Sequence, residues 1–124
     1  MTDGSGELQY VISEKAQFVV ISFSGTMFKA SVASLDECQT EVLKHPGNLF
    51  VLNLRDVTRI DNHAIPQFIK LQKALRDKPG ILRVCNIQDE VGKFAFEKGA
   101  IRESELAEDL MHALSQLQSE SQKR

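Results

Sequence analysis

The sequence predicts one α/β domain with a mixed, mostly parallel sheet of four to five strands, an N-terminal hairpin and about four helices. Three observations support this prediction. Two short segments rich in β-branched residues open the chain, only three residues apart. The run at 49–54 is almost continuously apolar, as expected for a strand covered on both faces. Segments of helical periodicity then alternate with strand-like segments, and strands joined through helices lie parallel in a single sheet.

The N-terminal part of the chain predicts a hairpin followed by a helix. Residues 8–13 and 17–23 form the two strands of the hairpin, and Gly25 then ends the strand pattern. Apolar residues next recur at helical spacing and predict a first helix over about 31–44. The apolar residues of this helix are Val32, Leu35, Cys38, Val42 and Leu43.

The central part of the chain predicts a buried strand and an amphipathic helix. The sequence His45-Pro46-Gly47 ends the first helix, and the strand covers 48–54. The second helix begins near Asn62 and ends at Pro79-Gly80. Its apolar stripe consists of Ile65, Phe68, Ile69, Leu71 and Leu75.

The C-terminal part predicts one more inner strand, at 81–87, and two further helices. Residues 101–103 are expected to form a short edge strand between these helices. The last helix is expected to fray into a polar tail at 119–124. The two helices are marked by Val91, Phe94 and Ala95, and by Leu106, Leu110, Ala113, Leu114 and Leu117.

The composition is that of an ordinary globular protein, with 42% hydrophobic and 26% charged residues. The 124 residues suffice for one domain, which we place at 7–118 after a polar, glycine-rich N-terminus at 1–6 that is expected to be disordered. The net charge of −2 gives no general attraction to nucleic acid. Neither a membrane span nor a signal peptide is indicated, so we expect a cytoplasmic protein.

Signals for catalysis, cofactors and metals are weak. The chain contains none of the glycine-rich phosphate or dinucleotide motifs, and its three histidines are scattered. Cys38 and Cys85 lack the spacing of a metal site and are expected to be buried thiols, although a disulfide between them stays open. The sequence therefore predicts no enzyme, no catalytic residue, no cofactor and no metal.

The turn between the buried strand and the second helix, at 57–64, is the most informative segment. Either Asn62 or His63 is expected to cap the helix, and an Asn cap contributes about 1 kcal/mol relative to Ala. Asp61, just ahead of the helix, suits the positive end of the helix dipole. Pro66 falls in the first turns, where a missing N–H costs least. A helix start alone therefore accounts for these residue types.

The same turn resembles the phosphorylation loop of STAS domains, the family of anti-sigma factor antagonists. That loop usually reads valine, two residues, an apolar residue, aspartate, serine, serine or threonine, and glycine. Val57, Ile60 and Asp61 match this pattern, and Asn62 stands where the family carries its phosphorylated serine. The likeness extends from about residue 8 to about residue 114.

The departures from the family pattern concern the switch. Asn62 has no hydroxyl to esterify, and His63, Ala64 and Pro66 also differ from the usual residues. In the family, a phosphate would add a charge of about −1.5 to −2 where a partner docks. We therefore expect Asn62 to imitate the unmodified, binding-competent state. Phosphorylation of Thr58 or His63 remains an open alternative.

The resemblance implies a non-catalytic regulator of transcription that acts by partner switching. Its implied partner is a kinase-type anti-sigma factor or another protein of a STAS cascade, with no direct binding of nucleic acid and no membrane insertion. The residues expected to contact the partner are Arg59, Asp61, Asn62, His63, Ala64, Gln67 and Lys70.

Two alternatives accompany this interpretation. The domain would otherwise serve as a scaffold or accessory subunit of a signalling assembly or a lipid-transport ATPase. The basic residues of the second helix, with Arg55 and Arg59, form either a face for an acidic partner or an ordinary solvated surface. Neither the partner's identity nor the oligomeric state is predicted. The basic residues are Lys70, Lys73, Arg76 and Lys78.

Overall fold

The computed structural model describes residues 7–78 and 80–123, so the predicted disorder at 1–6 lies outside the described residues. Five strands form one sheet in the order β1-β2-β3-β4-β5. The strands are β1 Gln9–Lys15, β2 Phe18–Met27, β3 Leu49–Ile60, β4 Ile81–Cys85 and β5 Leu106–Ala107. The helices are α1 Val32–Val42, α2 Ile65–Asp77, α3 Asp89–Glu97 and α4 Leu110–Gln122, and short 3-10 turns occupy Lys29–Ser31 and Glu103–Glu105.

The sheet combines an antiparallel hairpin with parallel inner strands, as the sequence predicts. β1 runs antiparallel to β2, whereas β2, β3, β4 and β5 are mutually parallel. The antiparallel pairing places Lys15 opposite Phe18 at the hairpin end. The parallel pairing aligns Phe18 with Leu49 and Met27 with Ile60, so β2 and β3 end together. The C-terminal end of β3 therefore lies beside the C-terminal end of β2. The turn that follows β3 can be held by hydrogen bonds to β2 as well as by its own residues.

Two apolar cores lie on the two faces of the sheet because successive strand residues point in opposite directions. Phe50 and Leu52 belong to the larger core, which α1, α2 and α3 cover. Leu49 and Val51 belong to the smaller core under α4. This division explains the continuous apolar run in β3. It also separates the cysteines, since Cys38 is in the larger core and Cys85 in the smaller, and both are free thiols.

The prediction that Gly25 ends the second strand is wrong. β2 continues to Met27, and Gly25 lies within it at a φ of +103°, next to shifts in the β2–β3 register. A Cβ at this position would lie 2.2 Å from the carbonyl oxygen of Glu7. Glycine thus permits both the irregular backbone and the close approach of the preceding segment, while the strand continues.

The edge strand lies later than the sequence predicts. Residues 103–105 form a 3-10 turn, and β5 is Leu106–Ala107 rather than 101–103. Side chains from α2 hold this segment: Gln72 donates to the Ala100 carbonyl at 2.7 Å, and Arg76 makes two hydrogen bonds to Glu105. These contacts depend on tertiary structure, which is why local pattern alone misplaces the strand.

The last helix also begins and ends later than predicted. α4 starts at Leu110, where the Asp109 side chain accepts a hydrogen bond from the His112 backbone N–H. It continues to Gln122 instead of fraying at 119, and Glu120 pairs with Arg83 of β4 at 2.8 Å. None of the helices within 7–78 and 80–123 has both the length and the apolar character needed to span a bilayer.

Candidate functional site

The turn after β3 is organised by Asp61. Its backbone N–H donates to the Met27 carbonyl at 2.9 Å, which ties the turn to the end of β2. Its side-chain Oδ1 accepts from the backbone N–H groups of His63 at 2.9 Å and Ala64 at 3.2 Å. The prediction that Asn62 or His63 caps the helix is wrong, because the N-cap residue is Ala64 and no side chain makes a cap hydrogen bond there. Asp61 instead holds the turn just ahead of the helix. α2 begins at Ile65, three residues later than predicted, with Pro66 in its first turn.

The residues that follow Asp61 differ in exposure. Asn62 is exposed, and its side chain makes no hydrogen bond within the described chain. The His63 side chain is 65% exposed, with Nδ1 3.7 Å from Asp61 Oδ2. Ala64 is fully buried, so only its backbone belongs to the turn surface. Of Asp61 and the three residues that follow it, Asn62 and His63 are thus the exposed ones.

The other predicted contact residues flank the turn and already have intramolecular partners. The Arg59 guanidinium lies 5.5 Å from the centre of the Phe28 ring. Gln67 donates a hydrogen bond to Asp36 of α1, and the Lys70 ammonium lies 3.8 Å from the same carboxylate. These contacts connect α2 to α1. Gln67 and Lys70 therefore lie beside the turn, but both side chains already contact Asp36.

The basic residues farther along α2 do not form an unpaired basic face. Lys73 pairs with Asp77 of the same helix at 2.9 Å. Arg76 pairs with Glu105, with both side chains largely shielded. Lys78 donates to the backbone carbonyls of the loop after α1 and lies over the Phe50 ring. The interpretation as a surface for an acidic partner is therefore not favoured.

A cleft of about 330 Å³ lies between the turn and α3. Sequence reasoning placed α3 only as a packing helix and missed its part in this cleft, because α3 is about thirty residues from the turn in the chain. Phe94 belongs to the apolar pattern that predicts α3 in the sequence. In the structure it is half-buried, which leaves part of its ring to line the cleft. The lining residues are Thr58, Arg59, Ile60, Asp61, Asn62, Glu90, Val91 and Phe94.

Neither a metal-type cluster nor a reactive thiol is found among the described residues. No three His, Cys, Asp or Glu side chains in this part of the chain could jointly hold a metal ion. Burial raises the pKa of Cys38 to about 12 and that of Cys85 to about 11, which keeps both thiols protonated and unreactive near neutral pH. What the turn offers is a rigid, exposed and mostly polar surface.

The family assignment follows from comparison with known proteins. The STAS domain model matches residues 9–113, which is most of the chain. The chain belongs to the STAS domain family. None of the curated proteins compared with the sequence matches it significantly.

Solved structures agree with this STAS fold. An anti-sigma factor antagonist from Mycobacterium paratuberculosis is 15% identical, with a TM-score of 0.78 over 91% of this chain and 96% of that one. A variant of RsbS from Moorella thermoacetica is 14% identical, with a TM-score of 0.77 and coverage of 92% and 98%. A chain of the stressosome, described as a signal integration and transduction hub, is 15% identical, with a TM-score of 0.73 and coverage of 90% and 98%. At these identities the likeness establishes the fold.

Proposed function

We propose that this STAS domain is a non-catalytic, cytoplasmic regulator of the anti-sigma factor antagonist type. In this proposal it binds a kinase-type anti-sigma factor, or a similar partner-switching protein, through the turn between β3 and α2. Occupying such a factor releases a sigma factor and so regulates transcription. Two solved structures of similar fold, the mycobacterial antagonist and RsbS, support the general type.

The observation that carries the proposal is the exposed carboxamide of Asn62. Asp61 holds the turn backbone by accepting hydrogen bonds from the two amides after Asn62. The Asn62 side chain is therefore exposed on a turn that other groups hold in place. A side chain that has no structural hydrogen bond is available to a partner. In this proposal Asn62, which lies in the turn just ahead of α2, stands where the family pattern has serine.

Asn62 also determines the regulation that we propose. A phosphorylated serine at this position would add a charge of about −2 and three acceptor oxygens to the docking surface. A carboxamide is neutral, is close to serine in size and cannot be esterified. The domain would therefore stay in the binding-competent state, and its release from the partner would not depend on phosphorylation at residue 62.

Affinity capture from the native host tests the proposed partner class. The wild-type domain, immobilised through its C-terminus, should retain a kinase-type anti-sigma factor, and ATP in the lysate should alter the amount retained because that partner binds nucleotide. A domain carrying Asn62→Glu should retain much less. Equal recovery on both domains would argue against the turn as the docking surface.

Mass spectrometry of the domain isolated from the same cells tests the regulatory part. Peptides covering 57–64 should carry no phosphate. Phosphate on Thr58 or His63 would contradict a permanently competent turn. Thr58 Oγ1 donates to the Gly25 carbonyl at 3.4 Å, a long hydrogen bond that modification would remove.

A second candidate is an accessory or scaffold subunit of a signalling assembly or of a lipid-transport ATPase. Its support is the fold shared with the stressosome chain. Several large apolar side chains are also exposed, among them Val11 at 64% and Met111 at 76%. Such side chains suit contacts within an assembly. Recovery of a transporter ATPase or of other STAS subunits in the capture experiment would favour this candidate.

A further inference from the structure

The cleft between the β3–α2 turn and α3 joins an apolar floor to an acidic rim. Ile60 and Val91 are 7% and 3% exposed and form the floor. Phe94 is half-buried and forms one wall, with the Lys98 ammonium 5.6 Å from its ring centre. At about 330 Å³, the cleft is near the lower limit of small-molecule pockets and is suited to one long side chain.

The rim carries a carboxylate, that of Glu90, for which the described residues supply no ion-pair partner. Glu90 is exposed and forms no ion pair within the described chain. Asp61 adds a second carboxylate, whose Oδ1 is already used to hold the turn. The Arg59 guanidinium is directed over the Phe28 ring, and Phe28 is not part of the cleft. Lys98 lies over the Phe94 ring but is not among the lining residues, so the lining itself carries two carboxylates, Asp61 and Glu90, against one guanidinium, that of Arg59.

This charge selects against anionic ligands. Both Asp89 and Glu90 lie in the first turn of α3, where they neutralise the positive end of the helix that would otherwise attract an anion. A phosphate or carboxylate in the cleft would face the Glu90 and Asp61 side chains. A cation with an apolar stem fits better, because its stem can lie on apolar surface while its head stays near the rim and solvent.

We propose that this cleft receives a lysine or arginine side chain of the protein partner. The aliphatic stem lies against Phe94 and Ile60, and the charged head pairs with Glu90. For the identity of the partner this inference rests on the proposed function, whereas the charge preference of the cleft does not. α3 then becomes a second contact element, and the turn and α3 together determine which partners are accepted.

A titration without any protein partner tests the charge preference. The ¹⁵N-labelled domain is titrated at low salt with n-butylammonium, which has the stem and head of a lysine side chain, and separately with butyrate. Butylammonium should shift the amide signals of Asp61, Glu90 and Phe94 at concentrations on the order of millimolar, and butyrate should not. In Glu90→Gln these shifts should be reduced at least about threefold. Equal shifts by both ions, or unchanged shifts in the variant, would overturn the proposal.

A second titration uses the purified kinase-type anti-sigma factor. Glu90→Lys should weaken its binding by about tenfold, the effect expected when an interfacial ion pair becomes a like-charge contact. The matched control is Glu97→Lys, which makes the same charge change at an exposed position on α3 outside the cleft lining. It should change the affinity by less than about twofold. Equal effects of the two variants would overturn the inference.

The two titrations separate the inference from the proposed function. If the wild-type domain does not bind the anti-sigma factor but its cleft still selects butylammonium, the proposed partner is wrong and the charge preference of the cleft stands. If the wild-type domain binds the factor and Glu90→Lys binds equally well, the proposed function stands and the inference about the cleft is wrong.

Discussion

Replacing Asp61 with Ala should destabilise the domain without affecting its core. The substitution removes the acceptor for the backbone N–H groups of His63 and Ala64, at 2.9 and 3.2 Å. Loss of a side-chain acceptor for backbone amides near a helix start costs about 0.5–2 kcal/mol, as for a cap, and loss of a carboxylate near a helix N-terminus costs about 0.3–1 kcal/mol. Because the Asp61 side chain is 36% exposed, water replaces part of the lost interaction. We therefore expect a decrease of about 1–2 kcal/mol in the free energy of unfolding.

Urea denaturation followed by circular dichroism measures this change. With a denaturant dependence of about 1–3 kcal/mol per molar urea, the midpoint should fall by about 1 M. Asp61→Asn keeps an acceptor oxygen but not the charge, so it should lose about half as much stability. The control is Asp56→Ala, which removes an exposed carboxylate whose ion pair among the described residues is with Arg55, at 3.7 Å, and should change stability by less than about 0.5 kcal/mol. Equal effects of Asp61→Ala and Asp56→Ala would refute the role of Asp61 in holding the turn ahead of α2.

Three further predictions concern other parts of the fold. Gly25→Ala should lower the stability by at least about 2 kcal/mol in thermal or urea unfolding, because the position combines a positive φ with a backbone contact that leaves no room for a Cβ. Cys38 and Cys85 should react with a thiol reagent at pH 8 only after denaturation, since burial raises the pKa of both; labelling of the native domain would contradict this. Asp109→Asn should lower the pKa of His112 in an NMR titration, because the hydrogen bond and charge of Asp109 raise it; an unchanged pKa would contradict the pairing.

The Asp109–His112 pair also predicts a direction for stability against pH. The pKa of Asp109 is lowered by its hydrogen bonds to His112, so that stabilisation is present above the ordinary pKa of 3.8 and is lost as the pH falls through the lowered value. The pKa of His112 is raised, so its contribution is complete below 6.5 and is lost as the pH rises through the raised value. The pair therefore stabilises the start of α4 most between pH 3.8 and pH 6.5. His112→Gln should remove the decrease in stability that occurs as the pH rises through the pKa of His112.

The order of strands and helices could be predicted from the sequence because hydrophobic periodicity follows burial. The apolar runs predict β3 and β4 because both faces of these strands are buried. The helical spacing predicts α1 and α2 because one face of each helix is buried. Strand ends were less predictable. Residues 55–60 of β3 carry several exposed charged side chains, but pairing with the last residues of β2 keeps them extended. That pairing depends on irregularities around Gly25, which no local pattern reveals.

The site was only partly predictable for a similar reason. The turn could be proposed as a contact surface because its residues are contiguous and resemble a family pattern. The helix start was misassigned, since Asp61, Asn62 and His63 all suit such a position and only the fold shows that Ala64 is the N-cap and that Asp61 binds the amides of the preceding turn. Glu90 and Phe94 were not connected to the turn because contact between α3 and the end of β3 arises from packing on the sheet. Sequence spacing carries no information about that contact.

The central claim is that a neutral carboxamide at the mouth of α2 keeps this domain able to bind its partner. Asn62→Asp tests it most directly, because the substitution adds one negative charge with almost no change in size. Its affinity for the purified kinase-type anti-sigma factor, measured by calorimetry beside the wild type and Asn62→Ser, should be lower by about tenfold, while the serine variant should bind like the wild type until it is phosphorylated. Wild-type affinity in the aspartate variant would contradict the account.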